Sequence, residues 1–535
     1  MNAPDPTSVT ELTPLLFLER SAQVYPDKPA VIYGSRQLTY SEFAAAVIRM
    51  ARALEASGVR PGDRVAYLLP NLPEMLIAHF AVPLIRGVLV AINTRLSGAE
   101  IAFILQHSGS SILVADTELL AGLSPHLDSV PDLGRVVALN DSGRMPEVEA
   151  IGYDDFLTTG TEEPLPFRVD DEHRPISINY TSGTTGRPKG VQYTHRGAYL
   201  NALSEVVHSR HDPDSVYLWT LPMFHCNGWC TTWGVTGVGG THVCLRAIDP
   251  EVIWKLIESE GVSHLNAAPT VLISLANHPH AAPFGRPFTV TTAGAPPSPT
   301  IIGQLEDLGA RVVHLYGLTE TYGPYTVCEV QPSWIEEPLE RRVKLLARQG
   351  VAFLGADPIR VVDDNMEDVP RDGATMGEVV MRGNNVMSGY YADPEATASA
   401  FRGGWFHSGD LAVWHPDGYI ELRDRQKDII ISGGENISTI EVEQAIVSHP
   451  AVLECAVVAM PHDHWGERPK AFVVLKPGVA ATGEEIIEHV RERLARFKAP
   501  EEIVMVEALP KTSTGKIQKY VLRDQVWADR QARIN

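Results

Sequence analysis

The sequence predicts an α/β protein: a large amino-terminal domain of stacked, helix-covered sheets with a strand-rich subdomain, then a small α+β carboxy-terminal domain. Three observations carry this. Strand, turn and helix patterns alternate to about residue 330. Shorter apolar runs, broken by glycines and turn signals, fill 340–424. From about residue 428 a compact unit begins, and its roughly 110 residues suffice for a core of their own. A chain of 535 residues also exceeds what one hydrophobic core serves.

The elements follow in order. Residues 29–40 read as two short strands around a turn at Gly34 and Ser35. SEFAAAVIRMARALEASG has the apolar spacing of a helix packed on one side, with Ser41 as its cap. Pro61-Gly62 turns the chain into the strand RVAYLLP, NLPEMLIAHFAVPLIRG forms a helix, and VLVAINTR is the next strand. In the small unit, the strand DIIIS, the turn GGEN and the helix STIEVEQAIVSHP come first. The strands VLECAVVAMP and PKAFVVLKP, the helix TGEEIIEHVRERLARF, the strand IVMVEALP, the polar KTSTG loop and a last short helix follow. The boundary falls near residues 425–427, giving domains 1–426 and 427–535.

Composition narrows the function. A formal net charge of -21 disfavours nucleic acid as a partner, while leaving room for a local basic pocket. No apolar run reaches the roughly eighteen residues of a membrane span, and the amino terminus lacks the basic and apolar regions of a signal peptide. The five cysteines suggest reduced thiols rather than a disulfide framework, and the final ARIN is not the peroxisomal address. A cytoplasmic protein is expected.

The strongest local signal is INYTSGTTGRPKG, residues 178–190. Thr181, Ser182, Thr184 and Thr185 supply hydroxyls. Gly183, Gly186 and Gly190 let the backbone bend close to a ligand, and Arg187 and Lys189 add positive charge. A triphosphate needs such a concentration of amide, hydroxyl and cationic groups. A plain surface turn has the same composition, and the spacing is not that of a Walker A loop.

YTSGTTGRPKG resembles the signature of the adenylate-forming (ANL) superfamily, which groups acyl-CoA synthetases, adenylation domains of nonribosomal peptide synthesis and beetle luciferases. Four further segments match in order: YGLTE at 316–320, GWFHSGD at 404–410, RDRQKDIIISGGENIS at 423–438 and PKTSTGKI at 510–517. The correspondence runs over nearly the whole chain.

The resemblance implies an ATP site between the two domains. Tyr316 would stack on adenine beside Gly317, Thr319 would bond the α-phosphate, and Glu320 with Thr184 would hold Mg2+, an ion suited to hard oxygen ligands. Asp410 would accept the ribose hydroxyls and Arg425 would add a charged bond. At 424 the chain has Asp where many relatives have Gly, as beetle luciferases also do. Lys516 is the first catalytic candidate: its ammonium would offset the repulsion between an attacking carboxylate and a polyanion. After pyrophosphate leaves, the small domain would rotate about Lys427, and the Gly433, Gly434, Glu435 turn would line a path for coenzyme A. A homodimer is common in such enzymes.

LPMFHCNGWCTTWG, residues 221–234, is dense in aromatic and soft apolar side chains. His225, Cys226 and Cys230 make a poor zinc set. By resemblance His225 sits near the reacting carboxylate and Trp229 lines the acyl tunnel. Gly294, Ala295 and Pro296 of TTAGAPPSP form a second wall. Core packing is the competing reading for Trp229 and Trp233. This segment with GLTETYGPYTVC is similar to short- and medium-chain fatty acyl-CoA, methylmercaptopropionate-CoA and plant cinnamate- or benzoate-type CoA ligases.

The function implied is an ATP-dependent acyl-CoA synthetase acting on an apolar short- or medium-chain fatty acid or thioether analogue. An aromatic acid is the alternative, and a stand-alone enzyme loading a carrier protein a further one. Residues 221–240 hold no Asp or Glu to pair an amino-acid ammonium. Tyr322, Tyr325 and Thr326 are available for polar groups on the acid.

Overall fold

The computed structural model describes residues 9–145, 148–181, 188–425, 427–433, 435–462, 464–512 and 516–527. Two large sheets dominate it. The first has eight strands, and its central run is Pro175–Tyr180, Val88–Ala91, Arg64–Leu68, Ile112–Asp116 and Arg135–Leu139. These pair in parallel, while Gly190–Thr194 closes against Pro175–Tyr180 as an antiparallel hairpin. The second has nine strands, with a parallel run from Pro29–Tyr33 to Ala310–Leu318 and antiparallel strands at both edges. Parallel strands need crossovers, and the intervening helices supply them.

The largest apolar cluster joins the two sheets. Val65 and Val191 of one meet Val31 and Tyr217 of the other through Phe43, Phe80 and Ala198 of the connecting helices. The helix Pro73–Leu84 is buried at every position, as its unbroken apolar sequence requires. The helix Tyr40–Ala56 begins two residues earlier than a cap at Ser41 implies. Thr39, not Ser41, is its cap, because Glu42 stands three residues on and completes a reciprocal capping box with it.

The strand-rich stretch is a four-stranded antiparallel sheet whose last strand, Ile420–Arg425, ends at the expected hinge. The next sheet begins at Ile430–Ser432. It contains the long hairpin Val452–His462 and Gly466–Leu475, with Glu502–Met505 added in parallel. The helices Thr439–Val447 and Gly483–Arg491 pack on it around Val442, Ile446, Val457, Val473 and Ile486. Glu435 and Asn436 of the expected GGEN turn belong to a return strand, Glu435–Ile437, which pairs antiparallel with Ile430–Ser432 and which the sequence pattern had not shown.

Candidate active site

Lys516 enters a cavity of about 1700 Å³ lined mostly by the large domain, with Lys427, Ile429, Ile431, Asn436 and Thr512 added from the small one. The lysine stands on a narrow loop neck. Thr512 N–H donates to the Lys516 carbonyl at 2.7 Å, and Lys516 N–H to Thr512 Oγ1 at 3.0 Å. Arg95 reaches across to the Thr512 carbonyl at 3.4 Å. With Lys516 the cavity collects Thr181 and Lys189 from the base of the phosphate loop, Gly317, Thr319 and Glu320 from the YGLTE segment, and His225, Trp229 and Gly294 from the acyl segments. Asp410, Arg425 and Lys427 complete the side toward the hinge. Residues far apart in sequence thus meet in one place.

A second cavity of about 310 Å³ shares His225, Trp229, Gly294 and Lys516 with the first and adds Ala295, Pro296 and Tyr316. Leu221, Pro269 and Ile273 give it an apolar side. Gly433 and Glu435 border neither cavity. Ser182, Gly183, Thr184, Thr185, Gly186 and Gly434 lie outside the described residues. The neck of the phosphate loop is described: Thr181 N–H donates to the Lys189 carbonyl at 3.0 Å, and Lys189 N–H to Thr181 Oγ1 at 3.2 Å.

Electrostatics follow from this crowding. The Arg425 guanidinium, and then burial, lower the Lys516 ammonium to about 7. Burial, and then Lys516, push His225 down to about 4, so it is neutral at pH 7. Burial raises the Glu320 carboxyl, because a desolvated carboxylate is costly without a counter-charge. Tyr316 donates its hydroxyl to Asp410 Oδ2 at 2.8 Å, and Arg425 Nε lies 3.3 Å from Asp410 Oδ1.

Glu320 also shows what the sequence reading missed. Tyr390 donates its hydroxyl to Glu320 Oε1 at 2.8 Å, while the Lys189 ammonium sits 4.7 Å from the Tyr390 ring centroid. One tyrosine therefore links the phosphate-loop cation to the acid. Nothing in SGYYADP singles it out, because the link exists only where Gly389–Tyr390 pairs as an edge strand with Gly190–Thr194. No group of three or more His, Cys, Asp or Glu that could hold a metal occurs among the described residues. Glu320 is a single buried carboxylate, which fits Mg2+, an ion that takes most of its ligands from phosphate and water.

The segment 226–230 departs from ordinary backbone. Cys226, Asn227, Gly228, Trp229 and Cys230 have φ of 47°, 44°, 60°, 54° and 62°. This is a left-handed turn with one glycine and one asparagine, and Cys226, Trp229 and Cys230 in it each cost about 1–2 kcal/mol. Trp229 emerges from the turn onto the cavity, whereas Trp233 is core and donates its indole N–H to the His79 carbonyl at 3.2 Å. Gly323, at φ 92°, backs Trp229. A Cβ there would lie 2.7 Å from Trp229 Cδ1.

Tyr322, Tyr325 and Thr326 do not serve the cavity. Tyr322 accepts the Thr194 N–H at 2.7 Å, Tyr325 donates to the Arg382 carbonyl at 2.7 Å, and Thr326 donates to the Gln349 carbonyl at 2.6 Å. Alternation along the strand Gly323–Val327, and the turn before it, aim their polar ends at neighbouring backbone.

Comparison with known proteins agrees with this geometry. The model of the family described as AMP-binding enzyme matches residues 18–391, and that of the AMP-binding enzyme C-terminal domain matches 441–516. The chain is 44% identical to 4-hydroxybutyrate–CoA ligase 2 of Metallosphaera sedula, covering 98% of this chain and 96% of that one. It is 43% identical to a peroxisomal benzoate–CoA ligase of Arabidopsis thaliana, over 96% and 93%. Among solved structures, ATP-bound MatB from Rhodopseudomonas palustris superposes with a TM-score of 0.84 at 28% identity, over 97% and 99%. The chain therefore belongs to the AMP-binding enzyme family, as an AMP-forming acid–thiol ligase.

Proposed function

We propose that this enzyme activates a short- or medium-chain apolar carboxylic acid with ATP and transfers the acyl group to coenzyme A. The carrying observation is that Lys516 reaches the cavity holding both the phosphate-loop base and His225. A carboxylate oxygen would attack the α-phosphorus there, and the bond to pyrophosphate would break. The Lys516 ammonium offsets the repulsion of the two anions and stabilises charge in the transition state. Thr319 bonds the α-phosphate, Asp410 holds the ribose and Tyr316 flanks the adenine. Mg2+ at Glu320, with Thr184, would neutralise triphosphate charge. In the second step a thiol sulfur attacks the acyl carbon and AMP leaves. Residues 1–426 and 427–535 act as two units, turning about Lys427 between steps and bringing the 433–435 turn to the thiol.

The acid is read from the smaller cavity. Leu221, Pro269, Ile273 and Trp229 suit an apolar tail, and its volume suits a short one. Neutral His225 can meet the carboxylate without a competing charge of its own. The relatives named for 4-hydroxybutyrate, acetate/butyrate and 2-methylpropanoate support a small aliphatic acid, and the benzoate-named one keeps a ring as the second reading. A cytoplasmic location and a homodimer belong to this proposal. Fractionation and sedimentation test them. No helix among the described residues is long and apolar enough to cross a membrane.

The test is a panel of aliphatic, thioether and aryl acids with Mg-ATP and coenzyme A, read by mass spectrometry of the thioester. Preferential formation of short aliphatic acyl-CoA is expected. Products confined to aryl acids would replace the first reading by the second, and no acid-dependent product would overturn both.

A further inference from the structure

The left-handed turn 226–230 is held by a buried polar lock. Asn227 N–H donates to Asn179 Oδ1 at 3.2 Å. Asn227 Oδ1 accepts from Asn179 Nδ2 at 2.6 Å and from the Ser177 hydroxyl. Asn227 Nδ2 lies 3.0 Å from His79 Nε2, and His79 Nδ1 lies 2.7 Å from the Met75 carbonyl. The carbonyl only accepts, so Nδ1 carries the proton and Nε2 accepts from Asn227. This requires a neutral ring, and burial pushes His79 down to about 4. Thr232 Oγ1 closes the far side by donating to the Asn227 carbonyl at 3.2 Å. Ser177, Asn179, His79 and Asn227 are all within 1% of complete burial.

Two features make this more than core packing. The turn places His225 and Trp229, two residues to either side of Asn227, on the cavity. Ser177 and Asn179 belong to the strand Pro175–Tyr180, which runs directly into the phosphate loop. The lock therefore ties the wall beside the acid to the base of the triphosphate site. Both reactants of the first step would be registered against one buried amide.

We propose that Asn227 is a positioning residue which, through Asn179, Ser177 and neutral His79, fixes the acyl wall relative to the phosphate loop and so sets both acid selectivity and the geometry of attack. The proposal rests on the reading that the Trp229 side of the cavity takes the acyl tail. A left-handed backbone alone does not supply this registration. Asn227→Gly would keep the backbone conformation at that residue while removing the bonds of the Asn227 side chain to Ser177, Asn179 and His79.

The test measures acid-dependent pyrophosphate release for linear acids differing by one methylene, with KM for acid and for ATP determined separately. Asn227→Gly and His79→Leu are expected to lower kcat/KM for the preferred acid on the order of 10–100-fold and to flatten discrimination between neighbouring chain lengths. KM for ATP should stay within about twofold. His79→Gln, which offers an acceptor oxygen near the place of Nε2, should recover most of the His79→Leu loss. Wild-type selectivity in Asn227→Gly would overturn the proposal, as would His79→Gln failing to improve on His79→Leu. Trp229→Ala separates the underlying reading. If it leaves chain-length preference unchanged, the acyl-wall assignment itself fails, whatever Asn227 does.

Discussion

The two sides of the cleft are built from different chemistry. The large-domain wall rests on neutral, fully buried groups: Asn227, Asn179, Ser177 and a histidine kept uncharged. The small-domain side, below Lys516, rests on ions. Lys519 Nζ donates to Glu443 at 2.7 Å and to Thr439 Oγ1 at 2.6 Å, and that hydroxyl donates in turn to Asp424 at 2.6 Å. Arg523 pairs with Asp428 beside them. Although burial opposes it, Glu443, Asp424 and Asp428 hold the Lys519 ammonium above its ordinary value. Neutral networks hold one geometry through directed bonds, whereas ion clusters tolerate rearrangement and repartnering. Under the proposed turn about Lys427, the wall that stays fixed uses the first, and the side that moves uses the second.

Breaking the ionic side should give the largest effect. Lys519→Met leaves Glu443 and Asp424 without their cation. The expected cost is about 3–5 kcal/mol, because unpaired buried charge is the penalty. Denaturant unfolding followed in the small domain measures it, and a loss under about 1 kcal/mol would show that water already screens the cluster. Next comes the reacting cation. Lys516→Ala should slow adenylation about 10²–10³-fold while sparing consumption of a supplied acyl-adenylate. Equal losses in both steps would remove Lys516 from the first.

The same residue gives a pH signature. Lys516 is charged below about pH 7 in the free enzyme. For adenylation, kcat/KM for ATP should fall as pH rises through that value, approaching about tenfold per pH unit. Bound triphosphate favours the ammonium, so the limb in kcat should lie at higher pH. Lys516→Arg keeps its charge and should lose the limb. Persistence of the limb in that variant would assign it to another group.

These contrasts mark what the sequence could show. Helix and strand periodicity placed the alternating α/β layers and the small domain. The ordered motifs hold Lys516, Thr319, Glu320 and Asp410, which line one cavity. Asp424 seemed a neutral departure, but it accepts Thr439 N–H at 2.7 Å and so binds the end of the large domain to the first helix of the small one. Tyr390, His79 and Asn179 were illegible for a common reason. Their partners are 70, 148 and 48 residues away, and no local period encodes such a meeting. The left-handed turn was hidden differently: Asn227 and Gly228 favour positive φ, but Cys226, Trp229 and Cys230 give no such signal.

The smallest predicted effect tests whether the ionic side moves as a unit. The strand Ile420–Arg425 and the strand Ile430–Ser432 flank Lys427, so backbone rotation there reorients everything after it. Proline at 427 fixes φ near its own value and restricts the residue before it. Lys427→Pro should therefore leave acid-dependent pyrophosphate release nearly intact and slow acyl transfer to coenzyme A about tenfold, equivalent to about 1.4 kcal/mol on that barrier. Lys427→Ala controls for the lost side chain. If alanine slows transfer as much as proline does, the lysine side chain rather than the backbone turn matters for the second step, and the pivot must be sought elsewhere between Arg425 and Ile430.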